Sequence, residues 1–403
     1  MSRDLYIKDK IRGCLMAGAA GDALGYTVEF WSRQSILAHY GANGITRFDL
    51  RGGDKALVSD DTQMTLFTAN GVLTGLTRHY MRGVGSPLEY YARFAYIDWY
   101  CTQTGNKRDN DFAYTWLRDL PEMAHRRAPG NTCLTACKSL FENKEVQNNS
   151  MGCGGIMRVA PFPLIAAGYE AKGMGMYTIE GIARGGAEIA ECTHKHPQGY
   201  IPSAALAVLL YKIAPLTVAE VCEQIDQLVA ETVEVIDRIY TEGGECQAKN
   251  QLKEVTERVM RLAHSDIPDI EAIKQLGEGW VALEAWAIAL YCAVRHIDSV
   301  EDAIIAAVNH DGDSDSTGSI CGNIMGAIYG YEHIKSRNIF CPEGKELEQT
   351  LELSEIILAM ADDLSSECPI GECMQIERPE QIQWLLRYCE MEPAGIGKTE
   401  NNN

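Results

Sequence analysis

The chain has 403 residues, 46% of them hydrophobic and 23% charged, which suffices for a large core and by length alone allows two or three domains. A formal net charge of −20 and an isoelectric point near 4.9 leave no basic face for non-specific binding of DNA or RNA. Mean hydropathy is −0.17, and apolar runs such as Ser203–Leu210 and Trp286–Val294 are too short to span a bilayer. The opening MSRDLYIKDKIRG carries early charges and no apolar signal region. The 14 cysteines are scattered without a CxxC pair, so reduced thiols in a cytoplasm are the expectation. Cys133 and Cys137 stand at helical spacing and read as a buried helix face.

In chain order, apolar residues at helical spacing predict helices over Met64–Gly71, Ile179–Glu191, Ser203–Ile213, Val218–Ile239, Trp280–Val294 and Ser319–Tyr331. Helix starts are marked by Ser59-Asp-Asp and by Asp315-Ser-Thr. Period-two alternation is nearly absent, so the predicted fold class is all-α. The polar, charged segment Thr102–Arg127 is expected to be a surface excursion between helices. No linker or repeat divides the chain, which predicts one domain over residues 1–392 and a disordered tail over 393–403.

Two segments stand out chemically: Val58-Ser59-Asp60-Asp61-Thr62-Gln63, and Asn309-His310-Asp311-Gly312-Asp313-Ser314-Asp315-Ser316-Thr317-Gly318. Helix capping accounts for the first, because Ser and Asp are favoured caps and acids suit a helix N-terminus. The second holds more acid than one cap can use, and small spacers let alternate carboxylates converge on a hard cation. Asp311, Asp313 and Asp315 fall at EF-hand positions, but that loop's required glycine and final glutamate are replaced by Ser316 and Gly322. The second cluster therefore reads as half of a magnesium or manganese site, with the first cluster as the other half. Such ions polarise hydroxyls and lower the pKa of bound water, which points to metal-assisted hydrolysis without naming the bond.

Six separated motifs resemble the ADP-ribosylglycohydrolases: Gly13–Gly25, Ser59–Thr62, Ser150–Pro161 (SMGCGGIMRVAP), Thr193–Tyr200 (THKHPQGY), Gly277–Ala293 and Gly312–Gly318. The resemblance implies an all-α fold with a central cleft holding two Mg2+ ions, for which Mn2+ can substitute. By position, the implied metal ligands are Ser59, Asp60, Asp61, Asp313, Asp315 and Ser316. The implied reaction is release of ADP-ribose from a mono-ADP-ribosylated arginine on a protein, with Asp60 or Asp61 as the base and Glu29 either catalytic or gating. ADP-ribose is expected along Ser150, Met151, Gly152, Cys153, Gly154 and Gly155, where glycine dihedrals and inward amides suit a phosphate. His194, Gly199 and Tyr200 are expected near the substrate, with His194 and His196 not acting as metal ligands. Arg158 could neutralise pyrophosphate or serve a structural ion pair; Asp22 could orient a metal-site group or cap a helix; and the Trp280–Ala293 helix, with Glu284 and Trp286, reads as core with one functional or buried acid. Met151 and Cys153 stand where some family members carry an aromatic residue and an asparagine. Hydrolysis of ADP-ribosylserine or another ADP-ribose derivative stays open, as does a non-catalytic binding protein. An immunity protein facing a cognate ADP-ribosyltransferase toxin is a further variant, and a monomer is expected.

Overall fold

The computed structural model describes residues 3–83, 86–107, 113–370 and 378–389. The expected tail, 393–403, lies outside the described residues. The described residues form helices throughout, with no strand among them and only two isolated bridges, Ala56 with Leu351 and Gly152 with Val281. The fold is all-α, and no described helix is long and apolar enough to cross a membrane. None of the described cysteines is in a disulfide, and Cys133 and Cys137 are buried on one helix as their spacing predicts.

Two helices set the architecture. Arg3–Tyr26 runs through the core, and Ser314–Tyr329 lies along it. Small residues at the crossing let the backbones touch: a Cβ on Gly21 would lie 2.1 Å from the Gly318 carbonyl oxygen, and one on Gly25 2.1 Å from that of Ser314. The GCLMAGAAGDALG motif is thus a helix–helix contact surface, and its effect is to bring Asp22 and the start of the Ser314–Tyr329 helix together. The third element of the site, Asp60–Arg82, is buried over most of its length, so it too is held from several sides.

The Ile179–Glu191 and Val218–Ile239 helices coincide with the predicted spans. Thr217 and Glu220 form a complete capping box at the start of the latter. Elsewhere the helices run beyond their predicted spans, Asp60–Arg82 at both ends and Pro197–Ile213 and Ser314–Tyr329 at their starts. Most described residues of Thr102–Arg127 are exposed or half-buried, as expected of a surface excursion, but Thr115, Leu117 and Met123 turn inward, and the Arg127 carbonyl accepts from the Asp60 amide at 3.0 Å and so braces a helix start. One expectation is corrected. Trp280 is not part of a core helix: the helix begins at Ala282, and Trp280 is 36% exposed.

Candidate functional site

The N-terminus of Asp60–Arg82 leaves amide groups that need acceptors. Ser59 Oγ accepts from the Asp61 amide at 3.1 Å. Asp22, from the Arg3–Tyr26 helix, accepts from the amides of Ser59 (3.0 and 3.1 Å) and Thr62 (3.1 Å) and from the Thr62 hydroxyl. Capping is thereby done by Ser59 and Asp22, and the carboxylates of Asp60 and Asp61 face a cleft instead. Ser59 is the cap as expected and both acids stand in the first turn, but capping leaves the cleft-facing oxygens of Asp60 and Asp61 unused. Asp60 Oδ2 accepts only a long bond from the Gly130 amide, 3.4 Å, and no donor reaches the buried Asp61 Oδ2.

The opposite wall starts at the second acidic segment. Asp313 is the N-cap of Ser314–Tyr329, its Oδ1 accepting from the Ser316 amide at 3.2 Å, while Asp315 Oδ1 accepts from the same amide at 2.8 Å. Asp313, Asp315 and Ser316 line the same cleft of about 420 Å³ as Asp60, Asp61 and Glu29. Ser59 is fully buried behind them, and Asp311 is exposed, its Oδ1 accepting from the Arg33 amide at 2.8 Å.

Burial and mutual repulsion push the carboxyls of Asp60, Asp61, Asp313 and Glu29 well above the usual carboxylate range. In each case desolvation is the first cause and Asp315 the second. Glu29 and Asp313 both lie within hydrogen-bonding reach of Asp315, yet Glu29 Oε2 has no donor. No lysine or arginine lines the cleft. His194, the imidazole there, is neutral: burial first and Arg158 second lower it to about 3. Two buried carboxylate oxygens without donors, on Asp61 and Glu29, in a cleft with five carboxylates and no lysine or arginine, fit a site for hard divalent cations. Among the described residues, no three carboxyl, imidazole or thiol groups already converge as an ion-binding group. The acids face the cleft as separate pairs, and the implied ligand set adds a serine to each.

Gly152, Cys153 and Gly154 form part of the cleft wall. The segment is fixed by Cys153 N to Trp280 O (3.2 Å) and Ala282 N to Met151 O (2.8 Å), and Cys153 Sγ donates to Asp313 Oδ2 at 2.8 Å.

A family model described as ADP-ribosylglycohydrolase matches residues 3–369. The chain belongs to the ADP-ribosylglycohydrolase family. Its similarity to ADP-ribosylhydrolase ARH3 of Mus musculus is 27% identity over 81% of this chain and 85% of that protein. ADP-ribosyl-[dinitrogen reductase] glycohydrolase of Rhodospirillum rubrum is 24% identical over 82% of this chain and 89% of its own. Against ARH3 of Bos taurus, 26% identical, the match spans 49% of this chain and 56% of that protein, so the chain spans about half the length of that relative. A solved structure described as an ADP-ribosylglycohydrolase-related protein complex shares the fold with a TM-score of 0.57 at 19% identity, covering 89% of this chain and 98% of that one.

Seen as a member of this family, the chain departs from several expectations at the glycine-rich segment. Gly152, Gly154 and Gly155 are not among the positive-φ residues, and Cys153–Arg158 is a short 3-10 helix. Their lack of a Cβ serves packing. On Gly152 a Cβ would lie 3.2 Å from His194 Nε2, on Gly154 2.8 Å from Cys133 Sγ, and on Gly155 2.7 Å from the Ala190 Cβ. The Gly152 amide donates to Ser150 Oγ at 3.3 Å, so it and the Cys153 amide are engaged within the protein instead of pointing inward.

Ser150, Met151, Gly155, Arg158, Gly199 and Tyr200 do not line the cleft. Arg158 is fully buried, donating to Ile189 O, Thr193 Oγ1 and the sulfurs of Met64 and Cys133 while lying 4.2 Å over the Tyr96 ring. It anchors the floor; among the described residues it pairs with no carboxylate, and it cannot reach a pyrophosphate in the cleft without rearrangement. The Tyr200 hydroxyl donates to Glu245 at 2.9 Å, and Gly199 lets its helix approach Ser150. His196 caps that helix, accepting from the Gln198 amide at 3.1 Å.

Sequence reasoning missed Phe30, the Ala128–Cys133 segment and the outward Trp280. Phe30, 70% exposed and at φ +66°, stacks on Trp280 with centroids 5.5 Å apart and planes 17° from parallel, and both line the cleft. The available signal was a pair of large aromatics flanked by polar residues in GYTVEFWSR and GEGW.

Proposed function

We propose that the chain hydrolyses the N-glycosidic bond of ADP-ribosylated arginine on proteins, using two Mg2+ or Mn2+ ions held by Ser59, Asp60, Asp61, Asp313, Asp315 and Ser316. The supporting observation is one cleft lined by four aspartates from two helix N-termini, with orphaned oxygens and no cationic side chain. The ions would supply Lewis acidity and charge neutralisation at the ribose and the attacking water.

The protein's own groups account for the rest. Asp60 or Asp61 takes the proton of the water as its oxygen bonds to the anomeric carbon, and Asp61 Oδ2 is the oxygen without a competing donor. The bond to the arginine nitrogen breaks with its electron pair going to nitrogen, so a cationic guanidinium leaves as neutral guanidine. Glu29, at the mouth beside Phe30, closes the outer side, and the Phe30–Trp280 stack limits the entry of bulk water.

A seryl linkage is the second reading, because its departing alkoxide needs a proton and Glu29 is a carboxyl lining the cleft outside the implied ligand set. The experiment is release of ADP-ribose from arginine-modified and serine-modified proteins, each with magnesium and with chelator. Magnesium-dependent release from arginine is expected. Release from serine alone would replace the proposed linkage, and release undiminished by chelator would remove the metal role.

A further inference from the structure

Trp280 belongs to two cavities. Besides the acidic cleft it lines a second one of about 490 Å³, between the segment around Ile270–Val281 and the turn at His310 and Asp311. Phe30 covers one face of the indole and lines only the first cavity. What Trp280 offers the second is its remaining face and edge.

The second cavity has an aliphatic floor, Ile270, Ile273 and Val281, and a rim of Glu278, Glu284 and Asp311 with Lys274. Lys274 is already paired with Glu271 at 3.2 Å. Glu284 Oε2 accepts from the amides of Glu278 and Gly279 at 3.0 and 3.1 Å, which fixes the turn that carries Trp280. Glu278 is exposed, and its carboxylate makes no hydrogen bond or ion pair with another described residue. His310 is not available as a ligand: its Nδ1 accepts from the Gly312 amide at 3.1 Å, and its Nε2 meets Thr317 Oγ1 at 3.0 Å.

An aliphatic floor, an indole face and an unpartnered carboxylate match one kind of side chain, a long apolar stem ending in a cation. The location says where that side chain comes from. A modified residue that enters the acidic cleft brings its own polypeptide across the mouth, over Phe30 and Trp280, so its sequence neighbours lie against the second cavity.

We propose that the cavity behind Trp280 is a specificity subsite for a lysine or arginine of the protein substrate, adjacent in its chain to the ADP-ribosylated residue. This rests on the functional reading above and narrows it to marks set in basic sequence. Glu278 and the Trp280 face are the recognising groups, and Glu284 positions them.

The test compares kcat/KM for ADP-ribosylated peptides that differ only in lysine or glutamate beside the modified residue. The wild type should favour the lysine peptide by about tenfold, the size of one or two partly exposed charge interactions. Glu278→Lys should reverse the order. The ratio is taken within one enzyme, so general damage to folding or metal loading cancels. Equal kcat/KM for the two peptides, or an order unchanged by Glu278→Lys, overturns the subsite.

If no peptide is hydrolysed, the functional reading has failed and the subsite is judged by binding of fluorescein-labelled, unmodified peptides. Tighter binding of the lysine peptide, lost in Glu278→Lys, supports it, and equal affinities overturn it.

Discussion

Asp315→Ala is expected to lower ADP-ribose release on the order of a thousandfold while leaving the helical circular dichroism unchanged. Asp315 is the charge most often felt by the others. After burial it is the leading cause of the raised carboxyls of Asp60, Asp61, Asp313 and Glu29. A metal site loses its shared centre when this residue goes. The metal-free protein, by contrast, loses a repulsive neighbour, while the helix gives up a favourable first-turn acid of about 0.3–1 kcal/mol and one of two acceptors of the Ser316 amide, which Asp313 still caps. The signature is therefore a pair of melts. Magnesium should raise the wild-type midpoint and leave that of Asp315→Ala in place, while the two chelated proteins melt at similar temperatures. Wild-type turnover in the variant would remove Asp315 from the site.

Asp22→Ala is expected to destabilise the chelated protein by about 2–4 kcal/mol, read as a lower urea midpoint at unchanged slope. Asp22 is fully buried and supplies the acceptors for the Ser59 and Thr62 amides and the Thr62 hydroxyl, none of which has access to water. Its removal leaves those donors unpaired and loosens the turn that aims Asp60 and Asp61. The pH dependence has a definite sign. Burial, and then Asp315, raise the Asp22 carboxyl from 3.8 to about 7, against hydrogen bonds from Thr62 and Ser59 that pull it down. A folded pKa above the unfolded one gives stability that is complete below about 3.8 and lost as pH rises through 7. The deficit of Asp22→Ala relative to wild type should thus be larger at pH 5 than at pH 8. An unchanged midpoint, or the opposite pH order, would show that another group caps this helix.

Particular residues show what could be read before the structure. Ile179–Glu191 and Val218–Ile239 were legible because each is a half-buried helix with an apolar stripe and a Thr cap. The start at Asp60 was marked by Ser59, but its second cap is Asp22, distant in sequence, and no local pattern announces such a partner. Asp313 and Asp315 were legible as more acid than a helix start can use, whereas Asp60 and Asp61 could be explained as first-turn acids and were picked out only as the other half of the site. Their neighbours were harder: Arg158 and Tyr200 stand in or beside family motifs, yet their side chains point into the core and toward Glu245, since adjacency in a motif fixes position and not direction. Trp280 was hidden by the apolar helix that follows it, and Phe30 by a left-handed backbone that only the fold imposes.

The central claim, that two acidic helix starts share one pair of ions, is tested most directly by counting Mn2+ bound per chain with electron paramagnetic resonance of the free ion. Two ions per wild-type chain are predicted, with binding weakened by Asp60→Ala and by Asp315→Ala alike, because each removes one wall of the same site. Stoichiometric binding that survives both substitutions, or no binding at millimolar Mn2+, would contradict it.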